Sequence, residues 1–340
     1  MSDDELVEPF ERLLADACPP ALVRAIERGG AAAPLWERLE ASGFVDTLVP
    51  ESAGGAGLRL ADAFALFVAE GCHALPVPLA QTMLVRALLA RDGVAAPPGS
   101  VAIAAHTQAA PDGAITCVAT PCGLVADSVA VALVDGWRVL PVAGATRTPS
   151  GVHGSLRADL RWPALPADAV VGTSPLATSE AGAAITAALL AGTMARVLDI
   201  TVAFANDRVQ FGKSIGKFQA IQHQLAVMAE HVAASHMAAE IGCAGAGPLP
   251  APLRAALAKA RTSEAAALVA PMAHAVHGAI GITAELDLQL YTRRLHEGRA
   301  DYGAEGHWNR VVGRALLAAD GGALDFMRSA LIPSNDELRP

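Results

Sequence analysis

Two helical segments of this chain are joined by one short stretch, Arg208-Val209-Gln210-Phe211-Gly212-Lys213-Ser214-Ile215-Gly216-Lys217-Phe218-Gln219-Ala220-Ile221-Gln222-His223. The segment before it is almost wholly apolar, and an amphipathic helix is predicted to begin at about Phe218. Between the two segments, a turn with two glycines carries three cationic side chains, those of Arg208, Lys213 and Lys217. We call residues 208–218 the elbow.

The elbow predicts a site for an anion. Glycine lets backbone amides approach a ligand closely, and amides at a helix N-terminus attract negative charge together with nearby cations. Phe211 and the amide side chains of Gln219 and Gln222 suit a ring system beside that anion. These residues indicate a phosphate-bearing, partly aromatic ligand. The alternative is an ordinary turn between helices whose lysines are solvated.

The order of residues in this stretch, R-x-x-FG-x-x-IG-x-FQ-x-IQH, resembles the signature of the acyl-CoA dehydrogenase flavoproteins. The resemblance runs from roughly Leu189 to Leu317 and continues upstream at Val49-Pro50-Glu51 and at residues 54–58. It implies that Arg208, Phe211 and Gly212 contact FAD, the first two in a neighbouring subunit. It also implies a mainly α fold with a small β domain.

The pattern of the rest of the chain agrees with that fold. Helical spacing at Leu6, Phe10, Leu13 and Leu14 predicts a helix near the start. We expect a helical N-terminal domain at residues 1–96, a short β-barrel-like middle domain at 97–168, a C-terminal four-helix bundle at 169–332 and a tail at 333–340. Further helices are predicted at 34–42, 60–71, 79–90, 183–206, 253–277, 285–296 and 307–318. Strands are predicted at 101–103, 114–119, 128–134 and 137–142, with a hairpin turn at Asp135-Gly136. Pro271 is expected to kink or end its helix.

A second stretch, Ala275-Val276-His277-Gly278-Ala279-Ile280-Gly281, resembles the family's Q-I-H-G-G-I-G segment. There the glutamine and glycines touch the adenosine-pyrophosphate part of FAD from the neighbouring subunit, so Gly278 and Gly281 inherit a cofactor-binding role. Ala275 and Ala279 replace the glutamine and the second glycine, which weakens the approach to phosphate. His277 is predicted to be a satisfied interior histidine.

The chemistry that the resemblance implies is α,β-dehydrogenation of an acyl thioester, in which a carboxylate takes the α proton and flavin accepts the β hydride. Counting back from Gly313-Arg314 places Tyr302 at the usual position of the catalytic glutamate. Counting back from Phe211 places Gly182 at the position that a smaller subset uses. Neither usual carboxylate is present.

Three nearby acids are candidate replacements for the base, namely Glu180, Asp301 and Glu305. Each lies one to three positions from a family site. The structural alternative for Glu180 is a place in the first turn of a helix, where acids are stabilising. Asp301 and Glu305 lie in a predicted loop before a helix, where acids are equally ordinary.

Composition excludes several other classes of function. A net charge of −9 and 4% aromatic residues argue against a nucleic-acid partner. Five cysteines without metal spacing are expected to be free thiols in a reducing cytosol, and no metal site is predicted. The start of the chain lacks a signal-peptide core, which together with the thiols predicts a cytoplasmic protein. The apolar segment 181–205 contains Arg196 and Asp199, each costing about 2.5 to 3.5 kcal/mol at a bilayer centre, so a bundle helix is expected rather than a membrane span.

The sequence therefore predicts a subunit of an FAD-dependent acyl-CoA dehydrogenase with a shared or incomplete active site. The middle domain is short, and the T-E-P-x-A-G-S-D-like and W-I-T-N-like stretches of typical members are absent. These departures resemble the short subunits of bacterial heteromeric members, which act on bulky acyl-CoA substrates. The expected partners are acyl-CoA and another such subunit, in a homo- or hetero-oligomer built from C-terminal helices. The alternative is a catalytically silent structural or regulatory subunit.

Overall fold

A computed structural model describes residues 3–245 and 247–331 of this chain. Its helices are α1 (Asp3–Ala17), α2 (Pro20–Glu27), α3 (Ala33–Ala41), α4 (Leu60–Cys72), α5 (Leu79–Arg91), α6 (Thr178–Asp207), α7 (Gln219–Cys243), α8 (Pro252–His277), α9 (Leu288–Ala300), α10 (Glu305–Ala318) and α11 (Ala323–Leu331). Five helices precede a β region and six follow it. This mainly α fold with a small β region is the predicted class.

The N-terminal helices follow the apolar spacing of their sequence. Phe10 and Leu14 of α1 are buried, as the helical period requires. The helix α3 stops before Gly43, which takes the left-handed conformation with φ of 80° and ends the helix as expected. The helix α2 was not predicted, although Pro20 in its first turn is a common start signal.

The N-terminal helices and the bundle meet where α4 crosses α6 at close range. A Cβ atom on Gly71 would lie 2.1 Å from the carbonyl oxygen of Leu189, and one on Gly192 would lie 1.9 Å from that of Val68. Only glycine fits at either position, because each helix backbone contacts the other directly. This contact holds α4 against the N-terminal half of α6, beside the candidate site.

The β region consists of two four-stranded sheets that enclose a core of their own. The strands are β1 (Val101–Ile103), β2 (His106–Ala109), β3 (Ile115–Thr120), β4 (Ser128–Leu133), β5 (Gly136–Pro141), β6 (Thr146–Pro149), β7 (Ala158–Trp162) and β8 (Val170–Gly172). The first sheet has the order β1-β4-β5-β8, with β1 parallel to β4, and the second has the order β2-β3-β7-β6. Buried Leu160, Trp162 and Val131 pack in the core between them.

Three details of the β region differ from the prediction. The hairpin between β4 and β5 is present, but Leu133 pairs with Gly136, so the turn residues are Val134 and Asp135. Gly136 instead opens β5 with φ of 129°. The strand β8 begins just after residue 168, so the β region extends one strand beyond the predicted end. The strands β2, β6 and β7 were also missed, since β2 and β6 are largely exposed and lack an apolar run.

The C-terminal bundle has α6 at its centre, packed against α7, α8 and α9. The helix α8 runs through Pro271 to His277, so the proline does not end it. The helices α9 and α10 begin three residues later and two residues earlier than predicted, and α11 was missed. Both α6 and the stretch Pro252–Ile282 are long and apolar enough to cross a membrane, but 50% and 44% of their most apolar windows are buried within the structure.

Candidate functional site

The two positions where the family resemblance places a catalytic carboxylate are in direct contact with each other. The ring of Tyr302 packs against Gly182, so close that a Cβ atom on Gly182 would sit 2.1 Å from it. Tyr302 is 3% exposed, and its hydroxyl donates a hydrogen bond of 2.7 Å to the carbonyl oxygen of Ile103 in β1. Burial raises the pKa of this phenol well above its usual range. A buried tyrosine therefore fills the place of the base and ties the bundle to the β region.

The segment 301–303 is held in this position by a buried lysine that the sequence analysis did not single out. Lys259 of α8 is 0% exposed, and its Nζ donates to the carbonyl oxygens of Arg299 and Gly303, each at 3.0 Å, and to Ser263 Oγ at 2.7 Å. Burial lowers the pKa of Lys259 to about 7. A lysine inside an alanine-rich stretch was the available signal. We call residues 301–303 the Tyr302 loop.

Asp301 is the candidate base that belongs to the Tyr302 loop itself, and its carboxylate forms an ion pair. Its Oδ1 is 2.5 Å from Nη2 of Arg157, and both side chains are 14% exposed. Burial raises the pKa of Asp301, while the guanidinium of Arg157 acts in the opposite direction. Asp301 also borders a cavity. The carboxylate of Asp301 is therefore paired with Arg157, a residue that the sequence analysis did not single out.

The other two candidate bases lie apart from that cavity. Glu305 forms a two-point ion pair with Arg299, whose Nε donates to Oε2 at 2.9 Å and whose Nη2 donates to Oε1. This hydrogen bonding lowers the pKa of Glu305 and suits a structural role at the start of α10. Glu180 lies half-buried in the first turn of α6, and its side chain has no ion-pair partner among the described residues. The structure does not bring the three acids together.

The cavity has a volume of about 140 Å³ and lies where the N-terminal helices, the β region and the bundle meet. Its apolar wall includes Leu75, Leu156 and Leu190, and its charged residues are Glu70, Arg157, Arg293, Arg294, Glu297 and Asp301. Burial raises the pKa of Glu70 to about 8. The Oε2 atom of Glu70 accepts from the amide of Ala80 at 3.0 Å, which satisfies the start of α5.

The elbow lies at the C-terminal end of α6 and is largely exposed to solvent. It contains a small hairpin, β9 (Val209–Gln210) and β10 (Lys213–Ser214), which pair antiparallel. Phe211 at its tip is 91% exposed and has φ of 52°. Positive φ is uncommon for an aromatic residue, and such conformations cluster at functional sites. Arg208 is exposed, and its side chain has no ion-pair partner among the described residues.

The remaining elbow residues divide between shaping the turn and facing solvent. The Nε2 of Gln222 donates to the carbonyl oxygen of Gly216 at 3.0 Å, and the Nζ of Lys213 lies 4.2 Å from the centre of the Phe218 ring. Gln222 therefore stabilises the turn itself. Gln219 is exposed at the start of α7, and Gly212, with φ of 79°, has open space around it.

The second predicted cofactor stretch is split between surface and interior. Gly278 is exposed with φ of 65°, whereas Gly281 is buried and a Cβ atom there would lie 2.8 Å from that of His277. Nδ1 of His277 donates to the carbonyl oxygen of Ala273 at 2.8 Å, and the ring stacks on Phe204 at 4.3 Å. Its Nε2 is buried without a partner among the described residues. His277 is therefore an interior residue, as predicted, with one of its two ring nitrogens satisfied within the described residues.

The described residues fit FAD at the elbow, where an exposed arginine and an exposed aromatic side chain suit the phosphates and rings of such a cofactor. At the Tyr302 loop, the ring of Tyr302 fills the position from which the family's carboxylate would act. No group of three or more His, Cys, Asp or Glu side chains with metal-site geometry occurs among the described residues.

Comparison with known proteins identifies the class. Residues 176–317 match the family model for the acyl-CoA dehydrogenase C-terminal domain. The chain is 34% identical over 307 residues to acyl-CoA dehydrogenase IpdE2 of Mycobacterium tuberculosis, covering 86% of this chain and 90% of that protein. This chain therefore belongs to the acyl-CoA dehydrogenase family.

Solved structures agree on the fold. The ChsE4-ChsE5 complex from Mycobacterium tuberculosis contains a chain that matches with a TM-score of 0.78 at 21% identity, covering 94% of this chain and 98% of that one. A variant of the Tcur3481-Tcur3483 steroid acyl-CoA dehydrogenase matches with a TM-score of 0.74 at 23% identity, covering 93% and 97%. At this identity the likeness establishes the architecture alone.

Proposed function

We propose that this chain is one subunit of a heteromeric, FAD-dependent acyl-CoA dehydrogenase, and that it serves a flavin held by its partner while its own base position is closed. The single observation that carries this proposal is the contact of Tyr302 with Gly182. It fills both positions from which the family's carboxylate acts, and it does so with a buried, hydrogen-bonded phenol. The complexes named among its structural neighbours support the heteromeric form.

In this proposal the elbow is the surface with which this chain contacts the cofactor. When bound, FAD supplies the acceptor for the β hydride of the acyl thioester. The guanidinium of Arg208 would pair with its pyrophosphate, and Phe211 would lie against a ring of the cofactor. The exposed amides around Gly212 and Gly278 allow close approach of phosphate oxygens. In this proposal a carboxylate of the partner subunit takes the α proton, because Tyr302 and Gly182 stand at both positions of the base in this chain.

The outward face of α7 supports assembly with a second chain. Val227 is 40% exposed and Met237 is 63% exposed on this helix, and Val202 of α6 is 37% exposed near the elbow. Exposed apolar side chains mark an interaction surface where they form a contiguous patch, and in our proposal the partner chain covers these side chains. We infer that the partner is a related but unlike subunit that retains the carboxylate. The substrate we propose is a bulky, steroid-derived acyl-CoA handled in the cytoplasm, in line with the steroid enzyme to which the fold is similar.

Flavin content and turnover of the separated and combined chains test the proposal. We expect the chain purified alone to bind less than one flavin per chain and to show no acyl-CoA oxidation. Co-expression with its unlike partner should give a visible flavin spectrum and turnover. Stoichiometric flavin together with turnover by this chain alone would overturn the proposal.

A further inference from the structure

A second concave surface, an open groove, lies between α3 and the β region. The described residues that line it all fall between Gly30 and Val170. Its volume is about 870 Å³, within the range of about 300–1,000 Å³ that is typical of small-molecule sites. Trp36, Val77 and Val139 are buried and give it an apolar lining. We call it the α3 groove, and its polar residues are Glu37, Ser100, Asp127, Ser128 and Asp168.

The charged side chains that line the α3 groove all have the same sign. Glu37 of α3, Asp127 just before β4 and Asp168 just before β8 are exposed, and none of the described lining residues is Lys, Arg or His. None of the three carboxylates forms an ion pair within the described residues. Asp127 instead accepts from the backbone amide and the hydroxyl of Ser100, each at 2.8 Å. Because a concave surface lined by charges of one sign focuses their potential, the groove favours a cationic ligand.

A buried hydroxyl without a partner also lines the α3 groove. Ser128, the first residue of β4, is 5% exposed, and its backbone amide donates to the carbonyl oxygen of Ser100 at 3.0 Å. Its Oγ has no hydrogen-bond partner among the described residues. The fold does not enclose this atom completely, so a molecule in the groove can reach it. Since a polar group on so buried a residue is normally hydrogen-bonded, the hydroxyl calls for a partner from outside the chain.

We propose that the α3 groove binds a small aliphatic diamine. Its two ammonium groups pair with the carboxylates, one of them donates to Ser128 Oγ, and the aliphatic chain lies on the apolar lining. The carboxylates come from three separate elements, and no group of three acidic, His or Cys side chains among the described residues is placed to hold a metal ion. A molecule with two separated charges therefore matches these carboxylates better than a compact cation does.

The α3 groove is distinct from the proposed cofactor surface and does not depend on it. Among the described residues, those of the elbow and of the Tyr302 loop do not line the groove. Its lining comes from the N-terminal helices and the β region, whereas the elbow joins two helices of the bundle. Loss of diamine binding in the groove and loss of flavin binding at the elbow are therefore separate outcomes.

Calorimetry on the full chain with hexane-1,6-diamine tests the site. The titration is run in about 0.15 M NaCl, where exposed charges more than about 8 Å apart are largely screened. We expect a dissociation constant of about a millimolar. Hexylamine, which has one charge, should bind at least about threefold more weakly, and hexane-1,6-diol, which has none, at least about tenfold more weakly. Displacement of the diamine by Mg²⁺ at constant ionic strength would overturn the proposal, because the groove would then be only a negatively charged surface.

Substitutions at the rim and floor of the α3 groove locate the binding. Glu37→Gln with Asp168→Asn removes two exposed carboxylates and should weaken diamine binding about tenfold, or about threefold for each. The matched control, Glu285→Gln with Asp320→Asn, makes the same change of net charge at exposed positions outside the groove and should change nothing. Ser128→Ala should weaken binding about threefold at an unchanged melting temperature, because the hydroxyl has no partner in the fold. If the control pair weakens binding as much as the rim pair, or if the native chain does not bind the diamine, the groove holds only water and screening ions and the proposal is overturned.

Discussion

The Tyr302 loop and the elbow are both glycine-containing turns that follow long helices, yet they are built in opposite ways. The loop is held by contacts within the chain, since Tyr302 packs on Gly182 and Nζ of Lys259 donates to the carbonyl oxygen of Gly303. The elbow forms hydrogen bonds within itself and with the adjoining turns of α6 and α7, and Phe211 at its tip is 91% exposed. Both carry a residue at positive φ, Tyr302 at 55° and Phe211 at 52°.

This difference indicates what each turn is for. A left-handed conformation persists only where the surroundings enforce it. At the Tyr302 loop those surroundings are all within the chain, so the loop is complete without a ligand. At the elbow the chain itself provides few contacts that would enforce this conformation, so we infer that a partner and its cofactor provide them. Three changes test this contrast.

The contact between Gly182 and Tyr302 should be the most sensitive point of the closed region. Gly182→Ala places a methyl group where the ring now lies, and overpacking of this kind costs about 1–3 kcal/mol. We expect a loss of about 3 kcal/mol in the free energy of unfolding, measured by urea denaturation. Gly313→Ala on α10, where nothing lies within 4 Å of the added atom, is the control and should gain up to about 1 kcal/mol.

A double-mutant cycle identifies the cause of that loss. In a Tyr302→Ala background the ring is gone, so Gly182→Ala should cost almost nothing more. If the same loss persists without the ring, the contact does not close this site and the contrast between the two turns fails.

Arg208 tests the open region, where binding should suffer and folding should not. Its pairing with pyrophosphate would be charge-assisted and bidentate, a geometry that lysine does not copy. Arg208→Ala should lose about 1.5–3 kcal/mol of flavin binding in the complex, or about ten- to a hundredfold, and Arg208→Lys should lose part of it. The melting temperature should hardly change, because an exposed arginine contributes at most about 0.5 kcal/mol. If the native, Lys and Ala forms have equal dissociation constants for flavin, the elbow is an ordinary turn between helices and does not bind the cofactor.

The sequence was sufficient for the class of fold and for the elbow. Apolar periodicity located the long helices, and the spacing of glycines, cations and aromatics located the turn between α6 and α7. Such features are local, so they can be read from neighbouring residues. The exposed strands β2 and β6 were missed, since pairing within a sheet, rather than their own apolar pattern, makes them strands.

The closed region could not be predicted because its contacts join distant parts of the chain. The sequence showed that both usual carboxylates were missing, but not that Tyr302 and Gly182 fit against each other across 120 positions. Likewise, Arg157 and Lys259 meet the loop from the β region and from α8, and no motif marks either residue. The roles of Glu180, Asp301 and Glu305 as bases stay predictions, although ion pairs engage the last two.

The third expected effect is a pH dependence that belongs to the closed region. Burial raises the pKa of Glu70 from 4.5 to about 8, so between these values the folded chain holds a proton that the unfolded chain has lost. The stability that this group contributes is complete below about pH 4.5 and is lost as the pH rises through 8.

Glu70→Gln keeps the oxygen that accepts from the amide of Ala80 and removes the titration. At pH 5 the variant should therefore match the native chain within about 0.5 kcal/mol, and it should become the more stable of the two as the pH approaches 9. Urea denaturation from pH 5 to 9 measures this difference. Parallel stability curves for the two proteins would mean that Glu70 is ionised in the folded chain, and that the interior beside the Tyr302 loop is as open to water as the elbow.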